Sequence, residues 1–155
     1  MKWLLIITIT LAIGVNVASA QPCRDYNRMG NCLALMNREV MNVYGQSKNA
    51  LLKANVPNNF NVTLFGEKDY KFIICTELKF YPIHIRLLDP VTQEVFYDNK
   101  DDGYLESIGF SVEKTRRLIV EITLLAAKAE FKDLGEDRSC VGVLILWQKQ
   151  PKTGF

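Results

Sequence analysis

Asp69-Tyr70-Lys71-Phe72-Ile73-Ile74-Cys75-Thr76-Glu77 is the stretch that decides the fold. Side chains on a β-strand point alternately to opposite faces. As a strand, this stretch puts Tyr70, Phe72 and Ile74 on one face, a set suited to an interior. Lys71, Ile73, Cys75 and Glu77 fall on the other face. That face is mixed, as expected where a helix covers only part of a sheet.

Similar texture continues downstream. Short runs rich in Val, Ile, Phe and Tyr recur near 60–65, 83–88, 94–98, 104–112, 117–125 and 140–147. Turn signals separate them: Gly66-Glu67-Lys68-Asp69, Asp89-Pro90 and Asp101-Asp102-Gly103. Seven strands with no helix between them predict a mainly β fold, a seven-stranded antiparallel β-sandwich of jelly-roll-like type.

Upstream the period changes. Met29, Leu33, Met36, Val40, Tyr44 and Leu51 recur at spacings of three, four and seven, which predicts an amphipathic α-helix between Asp25 and about Ala54. Gly45 is a point where it could break, and Asn55-Val56-Pro57-Asn58-Asn59 stops it. The expected organisation is an N-terminal helical segment over 21–59 packed on a sandwich over 60–155, together one domain. Residues 1–20 read as a cleaved signal peptide: Lys2, an apolar run from Leu4 to Val17, and Ala18-Ser19-Ala20 as an A-x-A site.

Composition narrows the function classes. Without Lys2 the 19 basic side chains become 18, against 17 acidic ones. That near-neutral balance argues against a general nucleic-acid binder. No apolar stretch beyond the leader reaches membrane-spanning length. Cys23, Cys32, Cys75 and Cys140 are an even set in an exported chain and predict two disulfides. Cys32 lies beside the helical stripe, close to Met36 in angle, and Cys75 is on the outer strand face. A Cys32–Cys75 bond would clip the helix to that face and leave Cys23 with Cys140; three pairings are formally open. There is no Cys-x-x-Cys, and one histidine offers little for a zinc site. No cofactor is expected.

No nucleophile motif accompanies the single histidine, His84. In Ile83-His84-Ile85-Arg86-Leu87 the apolar residues alternate inward, so His84 and Arg86 face outward. Tyr81 and Tyr97 are the aromatic side chains best placed to meet a ligand. The run Asp98 to Gly103 resembles a calcium loop, but Lys100 and Gly109 occupy positions where an EF-hand needs ligands.

The run Phe65-Gly66-Glu67-Lys68-Asp69-Tyr70-Lys71-Phe72, with Ile85-Arg86-Leu87-Leu88-Asp89 and then Asp98-Asn99, resembles the bacterial pre-peptidase C-terminal and GOLD-like β-sandwich domains. The resemblance covers roughly 60–125 and implies a non-catalytic accessory module, secreted or periplasmic, with no site residues transferred. The expected function is therefore a non-enzymatic secreted or periplasmic binding protein. Its expected partner is another secreted or envelope protein. The alternatives are a carbohydrate-binding module using Tyr81 and Tyr97, a secreted enzyme inhibitor using the polar loop 127–139, and a hydrolase using dispersed carboxylates such as Glu77, Asp98 and Glu106.

Overall fold

A computed structural model describes residues 23–28, 30–36, 41–133 and 135–151. The leader lies outside the described residues. Among these residues nine strands form two antiparallel sheets: β1 (Asn42–Val43), β2 (Lys48–Lys53), β3 (Asn58–Leu64), β4 (Lys68–Cys75), β5 (Ile83–Leu88), β6 (Val95–Asp98), β7 (Ser107–Val112), β8 (Arg116–Leu124) and β9 (Arg138–Lys149). One short helix, α1 (Gly30–Ala34), precedes them.

One sheet has five strands. Its order is β1–β9–β4–β7, and β2 also pairs with β9. The other has the order β3–β8–β5–β6. Strand β4 shows the face alternation expected from its sequence. Tyr70, Phe72 and Ile74 enter the main core with Val62, Leu64, Ile83, Ile85, Val120, Ile122, Val143 and Ile145. Full burial of one such aliphatic or aromatic side chain stabilises by about 1.5–3 kcal/mol. On the outer face of the same sheet, Ile73, Leu144 and Leu146 form a second small cluster under Leu35, Met36 and Met41.

The long helix does not form. Helical structure among the described residues of 25–54 is confined to α1 and a 3-10 turn at Tyr26–Arg28; residues 42–43 and 48–53 are strands. The physical reason is β9, twelve residues long. Its backbone would be bare along one side, and β1 and β2 cover it, with Val43 opposite Leu146 and Leu52 opposite Ser139. Tertiary pairing here overrides local helical periodicity. Leu51, assigned to the apolar stripe, is 43% exposed, while Leu52 is buried.

Two disulfides join the N-terminal segment to the five-stranded sheet, Cys32–Cys75 and Cys23–Cys140, each with Cα atoms 5.2 Å apart. They span 43 and 117 residues of sequence. In the loop-entropy picture, closures of these lengths stabilise by about 4–5 kcal/mol each. Between them the chain lies almost on the sheet backbone. The backbone N–H of buried Asn27 donates to Asn49 Oδ1 at 2.6 Å, and its side-chain amide donates to the Val143 carbonyl at 3.4 Å. This approach requires glycine at 142. A Cβ there would lie 2.7 Å from Asn27 Cα and 2.8 Å from Cys32 Sγ.

Gly142→Ala is therefore expected to cost about 1–3 kcal/mol, because neither a backbone atom nor a disulfide sulfur yields easily. Urea unfolding of the oxidised protein measures this. An unchanged midpoint would show that the clamp is looser than its geometry.

Candidate functional site

Alternation on β5 buries Ile83, Ile85 and Leu87 and leaves His84 and Arg86 half-buried on the outer face of the four-stranded sheet. Register then builds a polar row across that sheet. Asn59 on β3 stands opposite Glu121 on β8, Glu121 opposite Arg86 on β5, and Arg86 opposite Asp98 on β6. Opposite charges facing each other across strands are favourable. Arg86 Nε donates to Glu121 Oε1 at 2.7 Å, and its terminal Nη2 reaches the same oxygen. One step along β5, His84 Nε2 lies 2.8 Å from Asp98 Oδ1.

Asp98 Oδ1 also accepts the Lys100 backbone N–H at 2.9 Å. Burial pushes the Asp98 carboxyl up; the Lys100 amide, His84 and Arg86 outweigh it and hold the group below its ordinary value. Next to it, Asn99 is fully buried and acts as a piece of strand. Its Oδ1 accepts from the Ile85 N–H at 2.8 Å, and its Nδ2 donates to the carbonyls of Ile83 and Leu105 at 2.9 and 3.0 Å. That staple fixes the turn in which Gly103 and Tyr104 have φ of 68° and 63°. Glycine adopts this region freely, whereas Tyr104 needs outside support to hold it. The Tyr104 ring then stands edge-on to His84, with centroids 5.9 Å apart.

Beyond Tyr104 the surface becomes apolar. A shallow groove of about 590 Å³ opens at this end of the sandwich, lined by Leu35, Leu78, Tyr81, Pro82, Tyr104 and Glu106, among others. Leu78 is 83% exposed. Burial raises the Glu106 carboxyl above its usual range. Tyr81 is half-buried, and its hydroxyl accepts the Thr76 N–H at 3.3 Å. Tyr81 and Tyr104 thus line the groove, His84 meets Tyr104 from the outer sheet face, and Arg86 lies two residues further along that face.

Tyr97 does not join them. It stands opposite Leu87 and lines a different recess, the cleft between the β6 and β7 edges. Its hydroxyl donates to Asp102 Oδ2 at 2.8 Å; burial first, then Asp102, pushes its pKa up to about 12. Tyr81 and Tyr97 therefore offer no common platform for a flat sugar face. The carboxylates Glu77, Asp98 and Glu106 are similarly separated. Glu106 lines the groove, Asp98 is engaged with His84, and exposed Glu77 precedes the 3-10 turn Leu78–Phe80. Among the described residues no three His, Cys, Asp or Glu side chains converge as metal ligands. In the turn after β6, Asp98 and Asp102 face different partners. The polar loop 127–139 is held down, with Phe131 stacked on Phe80 at 5.4 Å and Asp137 bridged to Lys53 at 3.2 Å.

Asn99 and Leu78 are the members that sequence reading missed. An Asn followed by a glycine-containing turn was the available signal for the first. Nothing local marked Leu78, since exposure of a lone leucine is a tertiary property.

The His84–Asp98 contact has a measurable consequence. A carboxyl with a depressed folded-state pKa contributes stability above its unfolded value, about 3.9. That contribution is lost as pH falls through the folded value. His84→Ala should move the Asp98 pKa upward, as read by NMR titration of its side-chain carbonyl; an unmoved pKa would mean the pair is uncoupled.

No protein-family model matches the sequence, and no curated protein matches it. The resemblance to pre-peptidase C-terminal and GOLD-like domains thus gains no family match. Among solved structures, the chain resembles the crystal structure of Aeromonas hydrophila PliG, a periplasmic lysozyme inhibitor of g-type lysozyme. The TM-score is 0.47 at 9% identity, over 66% of this chain and 84% of that chain. A likeness at that level leaves the function of this chain to its own geometry.

Proposed function

We propose that this protein is a non-catalytic, extracytoplasmic binding protein that docks another protein on the groove around Leu78 and Tyr104. The observation that carries this reading is the exposure of Leu78 at an apolar groove continuous with a charged face. Solvent-exposed apolar surface rimmed by polar residues is the usual character of a protein-docking site. Leu105, next to Tyr104 in the chain, is 55% exposed, and Leu33, next to groove-lining Ala34, is 47% exposed. The ordered row of His84, Arg86, Asp98 and Glu121 supplies orientation beside it, since charge patterns favour specificity and encounter rate over raw affinity.

The surroundings of His84 support binding over catalysis. Nucleophilic catalysis requires a hydroxyl or thiol within hydrogen-bond reach of the base. Asp98 is the hydrogen-bond partner of His84 among the described residues, Tyr104 meets it only edge-on, and all four cysteines are in disulfides. Two disulfides also favour an oxidising compartment. An enzyme inhibitor is one form that such a binding protein takes.

Affinity capture from the extracytoplasmic fraction of the host, followed by mass spectrometry, tests the reading. A stoichiometric protein should be retained by the native chain and lost with Leu78→Glu. With that partner purified, Leu78→Glu should weaken binding at least about 10-fold, because a charge is placed where apolar surface must be desolvated. The melting temperature should not change, since Leu78 packs on little. Equal binding by the variant would remove the groove from the interface.

A further inference from the structure

Among the described residues, β7 is a free edge of the five-stranded sheet, at the end of the strand order. Which of its backbone groups are unused follows from register. Ile74 N–H donates to the Glu106 carbonyl at 2.9 Å, and Ile73 is opposite Ser107. Residues hydrogen-bonded to an antiparallel neighbour alternate with residues whose N–H and C=O point away. Glu106, Ile108, Phe110 and Val112 therefore address β4. Ser107, Gly109 and Ser111 turn their N–H and C=O groups to the open edge.

Natural sheets blunt such edges with charges, prolines, bulges or covering loops. Ser107-Ile108-Gly109-Phe110-Ser111-Val112 contains no charge and no proline, and its ladder with β4 is unbroken. The edge also borders the cleft of about 570 Å³ toward β6, into which Ile108, Phe110 and Val112 contribute. Phe96 on the rim of that cleft is 44% exposed. The edge thus combines unused hydrogen-bonding groups with adjacent apolar surface.

We propose that β7 pairs antiparallel with β7 of a second copy of this chain, joining two five-stranded sheets into one. Charge distribution along the strand selects a second copy. Asp98, Asp101, Asp102 and Glu106 precede β7 with Lys100 among them, a net negative run, and Lys114, Arg116 and Arg117 follow it with Glu113, a net positive one. Antiparallel self-pairing sets the acidic end of each copy against the basic end of the other, the self-complementarity that a two-fold interface demands. The open-edge residues restrict the register, because odd-numbered residues must face odd-numbered residues. With Phe110 on the axis, Gly109 faces Ser111 of the partner subunit, and Glu106, one residue before β7, comes toward Lys114 of the partner subunit, two residues beyond the strand's end.

Sedimentation equilibrium of the oxidised protein over a range of concentrations tests this. The weight-average mass should rise toward twice that of the monomer. Gly109→Pro deletes an N–H that faces outward, so β7 keeps its bonds to β4. It should weaken association at least about 100-fold. Lys114→Glu should weaken it about 10-fold by placing like charges across the axis, and the double exchange Glu106→Lys with Lys114→Glu should restore it to within about threefold. Hydrogen exchange of the native protein gives an independent reading: the Gly109 and Ser111 amides should gain protection as concentration rises. A monomer at all concentrations overturns the proposal, as does a dimer indifferent to Gly109→Pro. Protection of those amides only when a different protein is added would assign the edge to that protein instead.

Discussion

Strand β9 is the constraint on which the other elements depend. Its two sides are occupied by β4 and by β1 with β2, so one strand sets the register of three others. One of its faces supplies Val141, Val143 and Ile145 to the inter-sheet core. Its opposite face supplies Leu144 and Leu146 to the cluster under the N-terminal segment. Gly142 opens the gap through which that segment reaches the backbone, and Cys140 ties it down. Removing any of these would leave buried donors or apolar area without a partner, which costs more than the contact itself.

What was legible in the sequence follows from this arrangement. The strands from Asn58 onward were readable from their runs of β-branched and aromatic residues and, where only one face is buried, from alternation. Ile83–Leu88 is the clearest case: its buried positions are the apolar ones, and its half-buried positions are His84 and Arg86. Residues 42–53 were not readable. They cover one part of β9 at the sheet edge, with little burial, so alternation was weak and the spacing of Tyr44 and Leu51 passed for a helical stripe. The end-of-sandwich groove was equally hidden. It is assembled from α1, the turn at Leu78–Phe80 and the turn after β6, three segments far apart in the chain.

The candidate site divides into parts with different origins. The charged row is a property of register: three strand pairings place Asn59, Glu121, Arg86 and Asp98 in line. The groove is a property of loops. Loops carry recognition well when a rigid scaffold positions them. Here the scaffold acts through a small number of side chains, with Asn99 joining the turn to β5 and Phe131 seating the 127–139 loop against Phe80.

Asn99 has one more consequence. An asparagine in a turn is chemically perishable, because the next residue's backbone nitrogen can attack the side-chain amide and convert it to a carboxylate. At this position the change would turn a donor into an acceptor facing two carbonyls and would release the turn that carries Tyr104. The nitrogen in question belongs to Lys100, and its N–H is committed to Asp98 Oδ1. The Asn99 amide is itself pinned by three hydrogen bonds, one accepted and two donated. The same geometry that shapes the turn slows its chemical ageing.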